Sequence, residues 1–168
     1  MDRGDRARLL SYSATFLALI AAGSWISIPF FPVPLTLQTF FVLLAGMTMG
    51  RRAVVPVALY LFLGALGLPI FHNGSAGVGI LLGPTGGYAL GFLPAALIAG
   101  LAYERKSESA RLAGLGLALA STYLCGVLWL SWSATIPLPE ALLLGVLPFI
   151  PGDLVKLVAA RRVGRRLE

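Results

Sequence analysis

Hydrophobic positions dominate the chain in long blocks, separated by short polar clusters. Apolar runs of spanning length predict helices over about residues 9–28, 35–50, 53–68, 86–103 and 112–132. A bilayer-spanning helix needs roughly 20 residues, with a range of about 17 to 25, so the second and third are short. A sixth run, 141–160, is interrupted by Pro148 and Pro151. Proline removes a donor and clashes with the preceding turn. The sixth run is therefore expected as a short apolar re-entrant or interfacial segment up to Phe149, followed by a helix from Pro151, which occupies its first turn.

The polar clusters carry a second pattern. Arg3, Arg6 and Arg8 precede the first run, Arg51 and Arg52 part the second and third, and Arg105, Lys106 and Arg111 part the fourth and fifth. Arg161, Arg162, Arg165 and Arg166 follow the sixth. The alternate loops, 29–34, 71–84 and 133–139, hold no Lys or Arg. If six helices alternate, every basic cluster falls on one side, and basic loops face the cytoplasm. The expected fold is an all-α integral membrane bundle of six transmembrane helices with cytoplasmic N- and C-termini, forming one domain over residues 1–168. The basic start and the small residues at 21–23 also fit a cleaved signal peptide. A retained helix is preferred, because the first run carries spacing that a discarded peptide would not need.

Composition agrees. Among 168 residues, 58% are hydrophobic and 12% charged, and the mean hydropathy is +0.87; soluble domains carry about twice that charged fraction. The net charge of +6 is spread over the topology clusters, not over a basic patch interleaved with aromatics, so nucleic acid is not an expected partner. One cysteine, Cys125, and one histidine, His72, leave no multi-cysteine or histidine-rich metal site. The glycine turn before Tyr88 lacks the Lys-Ser/Thr of a phosphate-binding loop, so uphill transport would need its ATPase on another chain. His72 has no nucleophile elbow to serve, and the spans hold no paired carboxylates.

Small residues recur every four positions at Ala14, Ala18 and Ala22, at Gly87, Gly91, Ala95 and Ala99, and at Gly114, Ala118, Thr122 and Gly126. Such ladders let helix backbones approach closely in lipid. The last two are expected to pack inside the bundle; on the first helix an external partner competes with that role.

Lys156 breaks the topology pattern, because it lies inside the sixth run with Asp153 three residues before it. Positions i and i+3 share a helix face. Lys156 snorkelling toward Arg161, with Asp153 capping the helix start, is one explanation. A polar site at the outer end is the other, since ionisable groups within a span usually face a cavity or a partner. There an ammonium suits a carboxylate and a carboxylate suits N–H donors. Gln38, at the start of the second run, and the glycine-rich loop 71–83 point to the same end.

Several segments together resemble the BioY family, the biotin-specific substrate-binding (S) components of energy-coupling factor (ECF) transporters. They are PVPLTLQT at 32–39, YLFLG at 60–64, GLPIF at 67–71, LGPTGGY at 82–88 with Gly91 and Phe92, YLCG at 123–126 with Trp129, and PFIPGDLVK at 148–156. The resemblance implies a six-helix bundle in the prokaryotic cytoplasmic membrane that takes up biotin from outside, with biotin as transported ligand and no resident cofactor. It also implies a transmembrane coupling subunit, two cytoplasmic ATPases, and Ala14, Ala18 and Ala22 as the face offered to the coupling subunit. In the site, Asp153 would accept from a ureido N–H and Lys156 would pair with the carboxylate, unless both act at one end. Gln38 and Asn73 would complete the polar contacts, and Tyr88, Tyr123 and Trp129 would wall the apolar part. His72 departs from the pattern, where a smaller residue is expected. An S component for another vitamin, or a structural subunit of a membrane complex with no ligand, are the alternatives.

Overall fold

The computed structural model describes residues 3–167, with side chains described through Gly164. Helix α1 (Arg3–Trp25) leads into a two-stranded antiparallel hairpin of β1 (Ser27–Ile28) and β2 (Leu35–Thr36), in which Ser27 pairs with Thr36 and Ile28 with Leu35. Helices α2 (Gln38–Met49) and α3 (Val54–Ala65) flank a 3-10 turn at Gly50–Ala53. A second 3-10 turn (His72–Gly74) and the short α4 (Val78–Leu82) precede α5 (Gly86–Tyr103) and α6 (Glu108–Ser133). Helices α7 (Leu138–Gly145) and α8 (Ile150–Leu167) close the chain, bent by 51° at the proline-bearing break.

Among the described residues, four segments are long and apolar enough to cross a membrane: Arg3–Trp25, Gln38–Ala65, Gly86–Tyr103 and Glu108–Ser133. The bent pair α7 and α8 makes a fifth if counted as one span. The segment Gln38–Ala65 does not run straight. Gln38 Nε2 donates to the Tyr60 hydroxyl at 2.7 Å, yet 22 residues of continuous helix would hold them about 33 Å apart. The chain folds back at Gly50, which takes φ 59° and ψ −146°, a conformation that favours glycine. The arms α2 and α3 are thus 12 residues each, about 18 Å long.

The bundle carries large apolar side chains on its outer surface as well as in its core. Phe62, Leu117 and Leu124 are 60–62% exposed, while glycines and alanines fill the seams between helices. Helices α5 and α6 form the most extensive pair. Gly91 lies against the Thr122 backbone and the Cys125 side chain, Gly114 against Ala102, and Gly87 against Cys125 and Trp129. Both expected internal ladders are buried along their length. Ala14, Ala18 and Ala22 are exposed, on the side of α1 opposite buried Ser13, Phe16 and Ile20.

The basic clusters gather at one end. Arg51 forms a two-pronged pair with Glu104, at 3.1 Å from Nε and 2.9 Å from Nη2, and its backbone N–H donates to the same carboxylate. Arg161 pairs with Glu108, tying α8 to the start of α6. Ser107 caps α6 by accepting from the Ala110 N–H, an ordinary N-cap arrangement. Arg165 and Arg166 lie outside the residues whose side chains are described.

Three local features differ from the expected pattern. Helix α1 begins at Arg3 instead of near residue 9, because hydropathy marks the buried length of a helix and not its charged extension. The chain leaves helix at Trp25, and residues 27–28 pair as a strand. The interruption at Pro148 separates two true helices, with α7 supplying the segment expected as re-entrant or interfacial.

Candidate functional site

At the end of α2 remote from Arg51, a chamber of about 620 Å³, open mouth included, lies between the helices. Pockets for small ligands are mostly apolar, with a few placed polar groups. The walls follow that recipe. Val33, Phe71, Ile80, Tyr88, Phe92 and Phe149 supply apolar surface; Thr36, Gln38, Thr39, Tyr60, Tyr123, Asp153 and Lys156 supply polar atoms.

The floor of the site is one connected network. Lys156 Nζ donates to Asp153 Oδ1 at 2.7 Å, to the Thr36 carbonyl at 2.6 Å and to Thr39 Oγ1 at 3.2 Å. Asp153 Oδ1 also accepts from Thr39 Oγ1 at 2.9 Å, and Oδ2 accepts from the Tyr123 hydroxyl at 2.6 Å. Asp153 is 2% exposed. Sequence spacing explains the geometry: i and i+3 on α8 aim both groups at the start of α2, where β2 ends and a free carbonyl, that of Thr36, is within reach. Lys156 does not snorkel to Arg161. It stands at the opposite end of α2 from the arginine turn.

A second polar relay lies beside it. Thr36 Oγ1 donates to Gln38 Oε1 at 3.1 Å, and Gln38 Nε2 donates to the Tyr60 hydroxyl. Tyr60 packs edge-on to Phe71 with ring centroids 5.3 Å apart. Tyr88 is held between Gly126 and Gly145, donates its hydroxyl to the Gly145 carbonyl at 2.8 Å, and stacks on Phe149.

Of the residues expected in the site, Gln38, Tyr88, Tyr123, Asp153 and Lys156 line the chamber. Asn73 and Trp129 do not. Asn73 is exposed, with φ 55°, and its Oδ1 accepts from Ser27 Oγ at 2.9 Å, so it ties the 72–74 turn to the β-hairpin. Trp129 faces outward with Cys125 and Trp132, and its Nε1 donates to the Gly83 carbonyl at 3.0 Å. Trp129→Phe is therefore expected to lower thermal stability by about 0.5–1.5 kcal/mol, the value of one hydrogen bond, and to leave ligand affinity unchanged in a binding titration. Thr39 and Tyr60 are contacts that spacing alone did not single out, although both lie in the quoted sequence blocks.

A sequence profile described as the BioY family matches the chain over residues 1–168. The chain belongs to the BioY family. Among its relatives, the biotin transporter BioY of Thermotoga maritima is 42% identical over 163 residues, covering 96% of both chains. The probable biotin transporter BioY of Pyrococcus horikoshii is 42% identical over 164 residues, covering 97% of this chain and 98% of its own. In three dimensions the chain is similar to a crystal structure of the S-component for biotin from an ECF-type ABC transporter. The TM-score is 0.89 at 30% identity, covering 99% of this chain and 94% of the other. Within this BioY chain the chamber is built from the most recognisable blocks: 32–39 supplies the β2–α2 corner, 82–88 opens α5, and 148–156 carries the ion pair.

Proposed function

We propose that this chain is the biotin-capturing S component of an ECF-type transporter in the prokaryotic cytoplasmic membrane. It opens its chamber outward and keeps both termini and the arginine-bearing end in the cytoplasm. The observation that carries this reading is the buried Asp153–Lys156 pair at the floor of an apolar chamber. Biotin presents a ureido ring with two N–H donors and a carbonyl acceptor, then an apolar thioether ring and chain, then a carboxylate. A carboxylate and an ammonium held side by side complement the ureido group, one accepting from N–H and the other donating to C=O.

Charge decides which end of the ligand lies deep. The pair is neutral as a unit, so a neutral head group entering beside it leaves no net charge in the interior. A carboxylate entering there would leave a net negative charge in a low-dielectric site, which is costly. Joint action of Asp153 and Lys156 on the ureido end is thus favoured over a division between the two ends. Gln38 and Thr39 add polar contacts, while Tyr88, Tyr123 and Phe149 wall the apolar part.

ATP hydrolysis belongs to separate cytoplasmic partners, and the exposed Ala14, Ala18 and Ala22 face of α1 is the docking surface for the transmembrane coupling subunit. Titration of purified protein in lipid nanodiscs with biotin, thiamin and riboflavin tests the ligand. Biotin is expected to bind at one site and the other two not to compete. Displacement of biotin by thiamin or riboflavin, or no binding of any of the three, would refute the assignment.

A further inference from the structure

The neutral floor leaves the acid end of the ligand without a cation, and the outer loops hold one group able to supply it. His72 lines both the chamber and the outer groove formed by Pro29, Phe30, Phe31, Pro34 and Asn73. It therefore stands where the chamber meets the outside. Residues 29–34, 71–84 and 133–139 contain no lysine or arginine. The backbone carbonyl of His72 accepts from the Ser75 N–H and hydroxyl, but among the described residues its imidazole has no hydrogen-bond or ion-pair partner. Lys156, the other cation in the chamber, has its charge already balanced by Asp153 at 2.7 Å.

We infer that His72 receives the ligand's carboxylate at the mouth of the chamber, so that capture is accompanied by proton uptake. This rests on biotin as the ligand and adds a specificity-determining residue for its acid end. The titratable groups sharing the chamber are Tyr60 on α3, Tyr88 on α5, Tyr123 on α6, and Asp153 and Lys156 on α8. The tyrosines are neutral, and the last two cancel each other. Near the 72–74 turn, α1 and the β-hairpin contribute Ser24 and Ser27, which do not titrate.

The direction follows from linkage. Partial burial lowers the pKa of His72 below its ordinary 6.5 in the empty protein, so the ring is neutral near pH 7. A bound carboxylate stabilises the imidazolium and raises that pKa. Binding then takes up a proton, and affinity rises as pH falls until the empty protein is itself protonated. The ligand's own acid stays ionised down to about pH 4–5.

The test compares biotin with its uncharged amide across pH 5.5 to 8, by calorimetry on the full chain in nanodiscs. Biotin is expected to bind roughly three- to tenfold more tightly at pH 5.5 than at pH 8, a one-unit pKa shift setting the tenfold ceiling. The amide is expected to show no such slope, and His72→Gln to abolish the slope for biotin. A flat profile for biotin, an equal slope for the amide, or an unchanged slope in His72→Gln would overturn the inference while leaving biotin as ligand. Failure of both compounds to bind at any pH would overturn the biotin assignment and the inference with it.

Discussion

Asp153→Asn is expected to weaken biotin binding roughly 10- to 150-fold, the loss of a charged hydrogen bond worth about 1.5–3 kcal/mol. It is also expected to lower stability, because the substitution strands an ammonium that the fold has arranged to neutralise. Removing one member of a buried ion pair costs about 3–5 kcal/mol. Lys156→Met should be the more damaging single change to the fold. The Lys156 side chain is 15% exposed and Asp153 3%, so a stranded lysine has some access to water while a stranded aspartate has almost none. The double variant Asp153→Asn/Lys156→Met separates the two roles. Two neutral residues leave no uncompensated charge, so thermal stability should return toward that of the parent, while affinity should not. Thermal unfolding and a biotin titration on the four proteins decide the matter. Parent-like affinity in the double variant would show the pair to be scaffolding alone.

Much of this site is legible in the sequence, for a reason specific to α8. Two ionisable residues at i and i+3 in an otherwise apolar run must share a face, and burying that face requires a polar partner. The start of the second helix, with Thr36, Gln38 and Thr39, supplied it. Tyr123 and Trp129 show the limit of the same reasoning. Both stand on α6 in recognisable positions, but six residues at 100° each place them about 120° apart around the helix. Tyr123 points to Asp153, and Trp129 falls on the outward stripe with Cys125 and Trp132. The family resemblance implies a ligand contact for Asn73, yet its left-handed backbone turns the side chain to Ser27. His72, which looked like a departure from the pattern, is the residue at the mouth.

The fold divides along the same line. Hydropathy marks 86–103 to the residue because Thr85 and Glu104 end the apolar run sharply at both sides. It cannot mark the two-residue strands of the hairpin or the five residues of α4, which are too short to carry a period and exist because their ends are fixed by the helices around them. The hairpin between α2 and α3 was announced by Arg51 and Arg52, while the backbone conformation that makes it, at Gly50, belongs to the turn and not to any hydrophobic pattern.

Gly126→Ala is expected to cost about 1–3 kcal/mol of stability, the usual range for overpacking a filled interior, and to reduce biotin affinity as well. A Cβ at position 126 would overlap the Tyr88 ring. That ring cannot retreat toward α7, because Gly145 already abuts its hydroxyl, which is held by the Gly145 carbonyl. Phe149 stacks on it with centroids 6.0 Å apart. The remaining free space is the chamber, so relief of the clash moves Tyr88 into the volume the ligand needs. Gly116→Ala on the same helix is the control: a Cβ there meets nothing within 4 Å, and the change should leave both stability and affinity at least as high as in the parent. If thermal unfolding and titration respond alike to the two substitutions, helix propensity is the common cause and the wall formed by Tyr88 is not. If only Gly126→Ala loses both, the small residue on α6 exists to seat an aromatic ring, and the shape of the chamber is set by helix packing before any ligand arrives.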